Sequence, residues 1–232
     1  MLLFIRSALF YLGYFISLFI IGLMSLPLLL MPKKIAAPVI LLWSRFVVFW
    51  LKICCGIHYH INGNINQLPS PCVVIANHQS PWETIFLQLY LYPLTTVLKQ
   101  ELLHIPFFGW GLRILNPIAI NRSHPVQALK QIKKISVERL QKGDRVLIFP
   151  EGTRQPVGQL GNFARSGADI AKTADVPIVV IAQDAGNYWH NKKFLKTPGT
   201  IQLTIREPFT VNAENTKEVM QDIQAWIQTT LS

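Results

Sequence analysis

Cys72-Val73-Val74-Ile75-Ala76-Asn77-His78-Gln79-Ser80-Pro81-Trp82-Glu83 carries an apolar run into a turn and out into a helix start. Cys72 to Ala76 reads as a short buried strand. Ser80 suits an N-cap, Pro81 the first helical position, and Glu83 lies three residues past the cap. So a strand ends, a histidine follows, and a carboxylate sits on the first turn of a helix. α/β folds place ligands in the crevice outside the carboxyl ends of their strands. Two readings are open. In one, Glu83 closes a capping box and His78 is a loop residue without chemistry. In the other they form a dyad: a neutral imidazole takes a proton from a hydroxyl while the carboxylate fixes its tautomer. Five residues span about 140° of a regular helix. A dyad therefore requires His78 to lie in the turn before the helix, where the sequence places it.

Outward from this stretch, strands and helices alternate. Leu94–Leu98, Leu115–Ile120, Arg145–Phe149, Val176–Ala182 and Ile201–Ile205 read as strands. Val126, Leu129, Ile132 and Leu140 recur at near-helical spacing, ending by Gly143. Ala168–Ala174 reads as a short helix, and Asn215 opens a last amphipathic one with Val219, Ile223, Trp226 and Ile227 inward. Several strand ends carry polar groups. Pro150-Glu151-Gly152-Thr153-Arg154 follows one, Asn121-Arg122 another, and Lys99 a third. Arg154 offers a planar fork for phosphate, and Glu151 would order that arginine or contact a substrate hydroxyl. Together these ends describe a pocket for an anionic substrate bearing a hydroxyl to activate.

Composition narrows the setting. The 232 residues are 15% charged and 50% hydrophobic, with mean hydropathy +0.31, more apolar than an ordinary soluble domain. The net charge of +10 points to nucleic acid or an anionic membrane surface. The apolar excess favours the membrane, and no nucleic-acid motif accompanies the charge. Cys54, Cys55 and Cys72 form no convincing disulfide framework, which suits a reducing cytoplasm.

Ser7 to Met31 carries no formal charge and is long enough to span a bilayer. Ile35 to Leu51, with Pro38, Arg45 and two tryptophans, reads as an interfacial or re-entrant helix. Residues 1–55 are thus expected to be an N-terminal membrane anchor, as one span or a re-entrant hairpin. A polar, turn-rich link follows from Cys55 to Pro71, and residues 56–232 are expected to form one α/β domain behind the anchor. The fold class expected is α/β, a mixed sheet flanked by helices behind a two-helix anchor.

The motifs taken in order resemble those of the glycerolipid acyltransferase family, and within it the 1-acylglycerol-3-phosphate acyltransferases. Asn77-His78-Gln79-Ser80-Pro81-Trp82-Glu83 matches Asn-His-x4-Asp with Glu for Asp. Pro117–Arg122 matches the second block, with Asn116 where Gly is usual. Phe149–Arg154 is the full Phe-Pro-Glu-Gly-Thr-Arg, Val176–Val180 the fourth, and Lys99–Gly109 a further segment. The resemblance covers about residues 70 to 206. It implies that His78 is the general base, that Glu83 orients it, and that the acyl thioester is attacked directly. It implies Arg122 at the lysolipid phosphate, Glu151, Gly152, Thr153 and Arg154 at the acceptor's polar end, and Lys99 as a further cation. Arg165 reads as a surface residue. No metal or cofactor is implied beyond acyl-CoA or acyl-carrier protein as co-substrate. The partners implied are lysophosphatidic acid and anionic membrane lipids, with no nucleic acid and a cytoplasmic-facing domain. Other readings are a different acceptor, such as glycerol 3-phosphate, another lysophospholipid or a lyso-aminolipid, a non-catalytic lipid-binding module, or a hydrolase in which His78 activates water or a serine, Ser80 being near in sequence.

Overall fold

The computed structural model describes every residue except Arg122, His124, Ala213 and Glu214. The chain opens with two long helices, α1 (Leu2–Leu28) and α2 (Lys33–Cys55), packed against each other as a hairpin. Both are long and apolar enough to cross a membrane. α1 leaves Leu12, Phe15, Ile16, Phe19 and Ile20 exposed along its outer face. α2 is one continuous helix through Pro38 and Arg45, longer than the Ile35–Leu51 stretch read as interfacial or re-entrant. Its tryptophans turn inward: Trp43 donates to the Ser17 hydroxyl at 3.1 Å, and Trp50 to the Leu9 and Phe10 carbonyls. Arg6 donates to the Cys54 carbonyl at 2.7 Å, a cation on the C-terminal end of α2.

The seven strands are β1 (Ile57–Asn62), β2 (Val73–Ala76), β3 (Leu94–Lys99), β4 (Ile118–Ile120), β5 (Arg145–Ile148), β6 (Ile178–Gln183) and β7 (Gly199–Ile205). They form one mixed sheet in the order β1-β7-β6-β2-β5-β3-β4. The β6–β7 pair is antiparallel and all other pairs are parallel. The helices that follow are α3 (Pro81–Tyr90), α4 (Phe108–Ile114), α5 (Pro125–Gln141), α6 (Ser166–Ala174) and α7 (Thr216–Leu231).

Period-two alternation in β2 sorts its side chains between two cores. Val74 and Ala76 pack with Phe10, Val47, Leu51 and Trp82 on the side of α1 to α3. Val73 and Ile75 pack with Ile132, Ala168 and Ile223 on the side of α5 to α7. Burial on both faces explains why the strand reads as an unbroken apolar run. β2 lies between β5 and β6, so the chain leaves it in one direction through α3 and returns on its other side through α6. This is a topological switch point, and its crevice opens beyond the carboxyl ends of the strands.

Two expectations need correcting. The link from Cys55 to Pro71 holds β1, which pairs parallel with β7 at the sheet edge. The stretch Leu115–Ile120 is a strand only from Ile118. Leu115 ends α4, and Asn116 turns the chain at φ +55, a left-handed angle that asparagine tolerates.

Candidate active site

The turn after β2 builds a cap and a His–carboxylate hydrogen bond from one carboxylate. Ser80 Oγ accepts from the Trp82 amide and Glu83 answers to the N-cap, a complete capping box. Glu83 Oε1 accepts the Ser80 amide at 2.8 Å and the Gln79 amide at 2.9 Å. The same oxygen lies 2.8 Å from His78 Nδ1. Glu83 is wholly buried, and its Oε2 has no hydrogen-bond partner. A buried carboxylate holding Nδ1 leaves Nε2 as the free nitrogen of the imidazole. The ring stacks on Phe149 with centroids 4.1 Å apart.

The turn is fixed from behind. Asn77 is fully buried and exchanges hydrogen bonds with Gln183 at the end of β6: its amide donates to the Gln183 carbonyl at 2.8 Å and its Oδ1 accepts the Gln183 amide at 2.9 Å. The Gln183 side chain returns a bond to the Asn77 carbonyl. Ser80 donates its hydroxyl to the Trp189 carbonyl at 2.8 Å and is fully buried, so it has no access to a substrate. That geometry removes Ser80 as the serine of a hydrolase.

The loop after β5 meets this turn. Gln155 donates its amide to the His78 carbonyl at 2.8 Å. Gly152 takes φ +68, an angle that suits glycine at the tip of the turn. A cavity of about 940 Å³ opens here, lined by His78, Gly152, Thr153, Arg154 and Lys99 at one part of its wall. Much of the remaining wall is apolar, with Leu18 and Ile40 from the hairpin, Phe107, Leu115, and Leu129 and Ile132 from α5, and polar side chains such as Thr84, Gln88 and Asn191 interrupt it. Pockets of this size with few convergent polar groups are the usual form of a ligand site.

Arg154 Nε is buried without a partner. Burial pulls its guanidinium below the ordinary arginine range, while the charge of Glu83 supports it. Glu151 does not line the cavity. Both its oxygens are buried without a well-formed hydrogen bond, and no ion pair joins it to Arg154, contrary to the ordering role expected from sequence. Burial pushes its carboxyl up to about 8, opposed by the His78 amide dipole and reinforced by Glu83. Lys99 is exposed at the end of β3. Arg165 is 74% exposed and pairs with Asp169, as a surface residue does. Arg122 lies outside the described residues. Sequence reasoning missed the parts played by Phe149, Gln183 and Trp189; their partners lie up to 109 residues away.

The raised Glu151 carboxyl has a testable consequence. A group whose folded value exceeds its ordinary one stabilises the fold at low pH and loses that contribution as pH rises. The window here runs from 4.5 to about 8. Glu151→Gln in detergent should therefore gain Tm over wild type progressively across that window. A constant Tm difference would show that Glu151 titrates normally.

The Acyltransferase family model matches residues 56–183. A 1-acyl-sn-glycerol-3-phosphate acyltransferase of Pseudomonas aeruginosa is 44% identical over 98% of this chain and 91% of its own length. The human 1-acyl-sn-glycerol-3-phosphate acyltransferase alpha is 29% identical over 71% of this chain and 59% of its own. The crystal structure of the 1-acyl-sn-glycerophosphate (LPA) acyltransferase PlsC of Thermotoga maritima superposes with a TM-score of 0.77 at 23% identity, covering 97% of this chain and 93% of that one. At that identity the likeness concerns the fold, mixed sheet and N-terminal helices alike.

Proposed function

The chain belongs to the Acyltransferase family, and from that premise we propose that it moves an acyl chain from a thioester to the 2-hydroxyl of 1-acylglycerol 3-phosphate, giving phosphatidic acid. The observation that carries this reading is the His78–Glu83 pair, with His78 in the wall of a cavity that joins a cationic end to a long apolar stretch. Such a cavity takes an acyl chain, and the free Nε2 takes a proton from whatever hydroxyl is placed beside it.

His78 Nε2 accepts the proton of the 2-hydroxyl as its oxygen attacks the thioester carbonyl carbon. A new C–O bond forms and the C–S bond breaks. The imidazolium returns the proton to the departing thiolate, so a thiol leaves and the base is restored. Glu83 holds Nδ1 protonated throughout and stabilises the imidazolium between the two transfers. Arg154 and Thr153 receive the polar end of the acceptor, with Arg122 joining them by its place in the sequence. Glu151 sits behind this loop as a largely neutral carboxyl near pH 7, shaping the turn rather than touching the phosphate. No metal enters the step. Acyl-CoA or acyl-carrier protein supplies the thioester.

The hairpin gives the chemistry its place. Its exposed apolar face sits in the bilayer, and the net positive charge holds the domain to anionic headgroups on the cytoplasmic side. The acceptor then reaches the crevice without leaving the membrane. In this reading residues 1–55 are the anchor and 56–232 the acyltransferase domain.

Purified protein in mixed micelles with labelled thioester should form phosphatidate from lysophosphatidate. Transfer to glycerol 3-phosphate or another lysolipid instead would keep the chemistry and replace the acceptor. Thioester loss without lipid product would overturn transfer.

A further inference from the structure

The loop between β6 and β7 has no part in the step above, yet it reaches the same cavity. Its sequence is Trp189-His190-Asn191-Lys192-Lys193-Phe194-Leu195-Lys196, and it is fastened at both ends. At the first end Trp189 is buried, its carbonyl accepts the Ser80 hydroxyl, and its ring stands edge-on to Phe10 of α1. At the second end Lys196 is 1% exposed. Its ammonium donates to the Tyr11 hydroxyl at 2.8 Å, the Lys193 carbonyl at 2.8 Å and the Phe194 carbonyl at 2.9 Å. Its amide donates to Ser7 Oγ at 2.9 Å. All three ammonium donors are spent, so Lys196 holds the loop to α1 and has nothing left for a ligand.

Between these fastenings, Asn191 and Lys192 enter the cavity wall that also contains His78, Thr153 and Arg154. Lys192 has φ +59, in the left-handed region that lysine rarely adopts. Strain of this kind persists where the surroundings over-determine it, and it gathers at ligand sites. Two buried anchors a few residues to either side supply that constraint. Lys192 is exposed, and among the described residues no acidic side chain pairs with it. A lysine is thus held in a costly conformation, at the wall of a cavity, with its charge unanswered.

We propose that Lys192 is a phosphate-recognising cation of this site, holding one substrate phosphate beside the His78–Arg154 wall. An ammonium binds phosphate as a point charge and needs no planar match, so a flexible stem on a fixed backbone suffices. This rests on the acyl-transfer reading. Phosphate reaches the site from two sources: the headgroup of the acceptor, or the phosphate-bearing carrier of the thioester.

The test is steady-state kinetics of the full chain in mixed micelles, varying each substrate in turn. Lys192→Ala should raise KM about tenfold for the substrate whose phosphate it holds, the size of one charge-assisted contact, with the effect on KM rather than kcat. A rise for lysophosphatidate alone assigns the acceptor, and a rise for the thioester alone assigns the donor. Lys192→Arg should restore KM to near the wild-type value. Lys192→Gly should show the same KM rise while Tm stays level or increases, because glycine takes a positive φ without a Cβ penalty. A purely structural lysine would lose Tm and leave KM alone. Unchanged KM for both substrates in Lys192→Ala overturns this inference and leaves acyl transfer standing. A wild-type protein that transfers no acyl group overturns the transfer reading, and this inference with it.

Discussion

Replacing His78 with alanine should reduce acyl transfer about 10³-fold, the size of a lost general base, while the fold survives. The side chain makes one hydrogen bond, to Glu83 Oε1, and that oxygen keeps the Gln79 and Ser80 amides without it. The His78 carbonyl, which receives the Gln155 amide, belongs to the backbone and is untouched by the substitution. What is lost besides the base is stacking on Phe149, at the wall of a cavity rather than in a sealed core. Tm should thus fall little. The measurement is phosphatidate formed from labelled thioester, with Tm recorded on the same preparation. Activity within tenfold of wild type at full Tm would remove His78 from the chemistry. Activity lost together with a collapsed Tm would mean that the imidazole is structural.

The fold was legible where local signals agree. Ser80, Pro81 and Glu83 set the start of α3, and Asn215 sets that of α7 by accepting the Lys217 amide. The apolar run of β2 announced a strand covered on both faces. β1 was lost although Ile57, Tyr59 and Ile61 alternate with His58, His60 and Asn62 as in a half-buried strand, because Gly56, Gly63, Asn64 and Asn66 crowd around it as in a turn-rich link. That is the composition of a link as much as of an edge strand, and its partner β7 is about 140 residues further along. The site divided in the same way. The His78–Glu83 pair is local, so spacing could suggest it. Asn77 looks in sequence like part of the histidine motif, but its side chain is spent on Gln183, at the far end of another strand. Spacing carries no sign of such a partner. Lys192 escaped for a related reason: its interest lies in a backbone angle and two distant anchors, none of which its residue type reveals.

Glu83 offers the second large effect, and it separates two functions of one oxygen. Glu83→Gln keeps a carbonyl oxygen where Oε1 is, so the Gln79 and Ser80 amides retain an acceptor and the cap survives. The new amide group takes the place of Oε2, which has no partner to lose. Missing is the negative charge. The imidazolium formed during transfer then loses its counter-ion, and Arg154 loses the charge that supports its own. kcat should fall about 10²-fold or more, within the range seen when a base loses its orienting carboxylate, with Tm close to wild type. Glu83→Ala removes the acceptor altogether. Two buried backbone amides are then unpaired, at about 1–3 kcal/mol each, so Tm should drop by several degrees along with activity. If Glu83 served only as a cap, the glutamine variant would keep both activity and stability and only the alanine variant would fail. A glutamine variant that is stable and inactive leaves the carboxylate charge, beside His78 and Arg154, as the property that transfer requires.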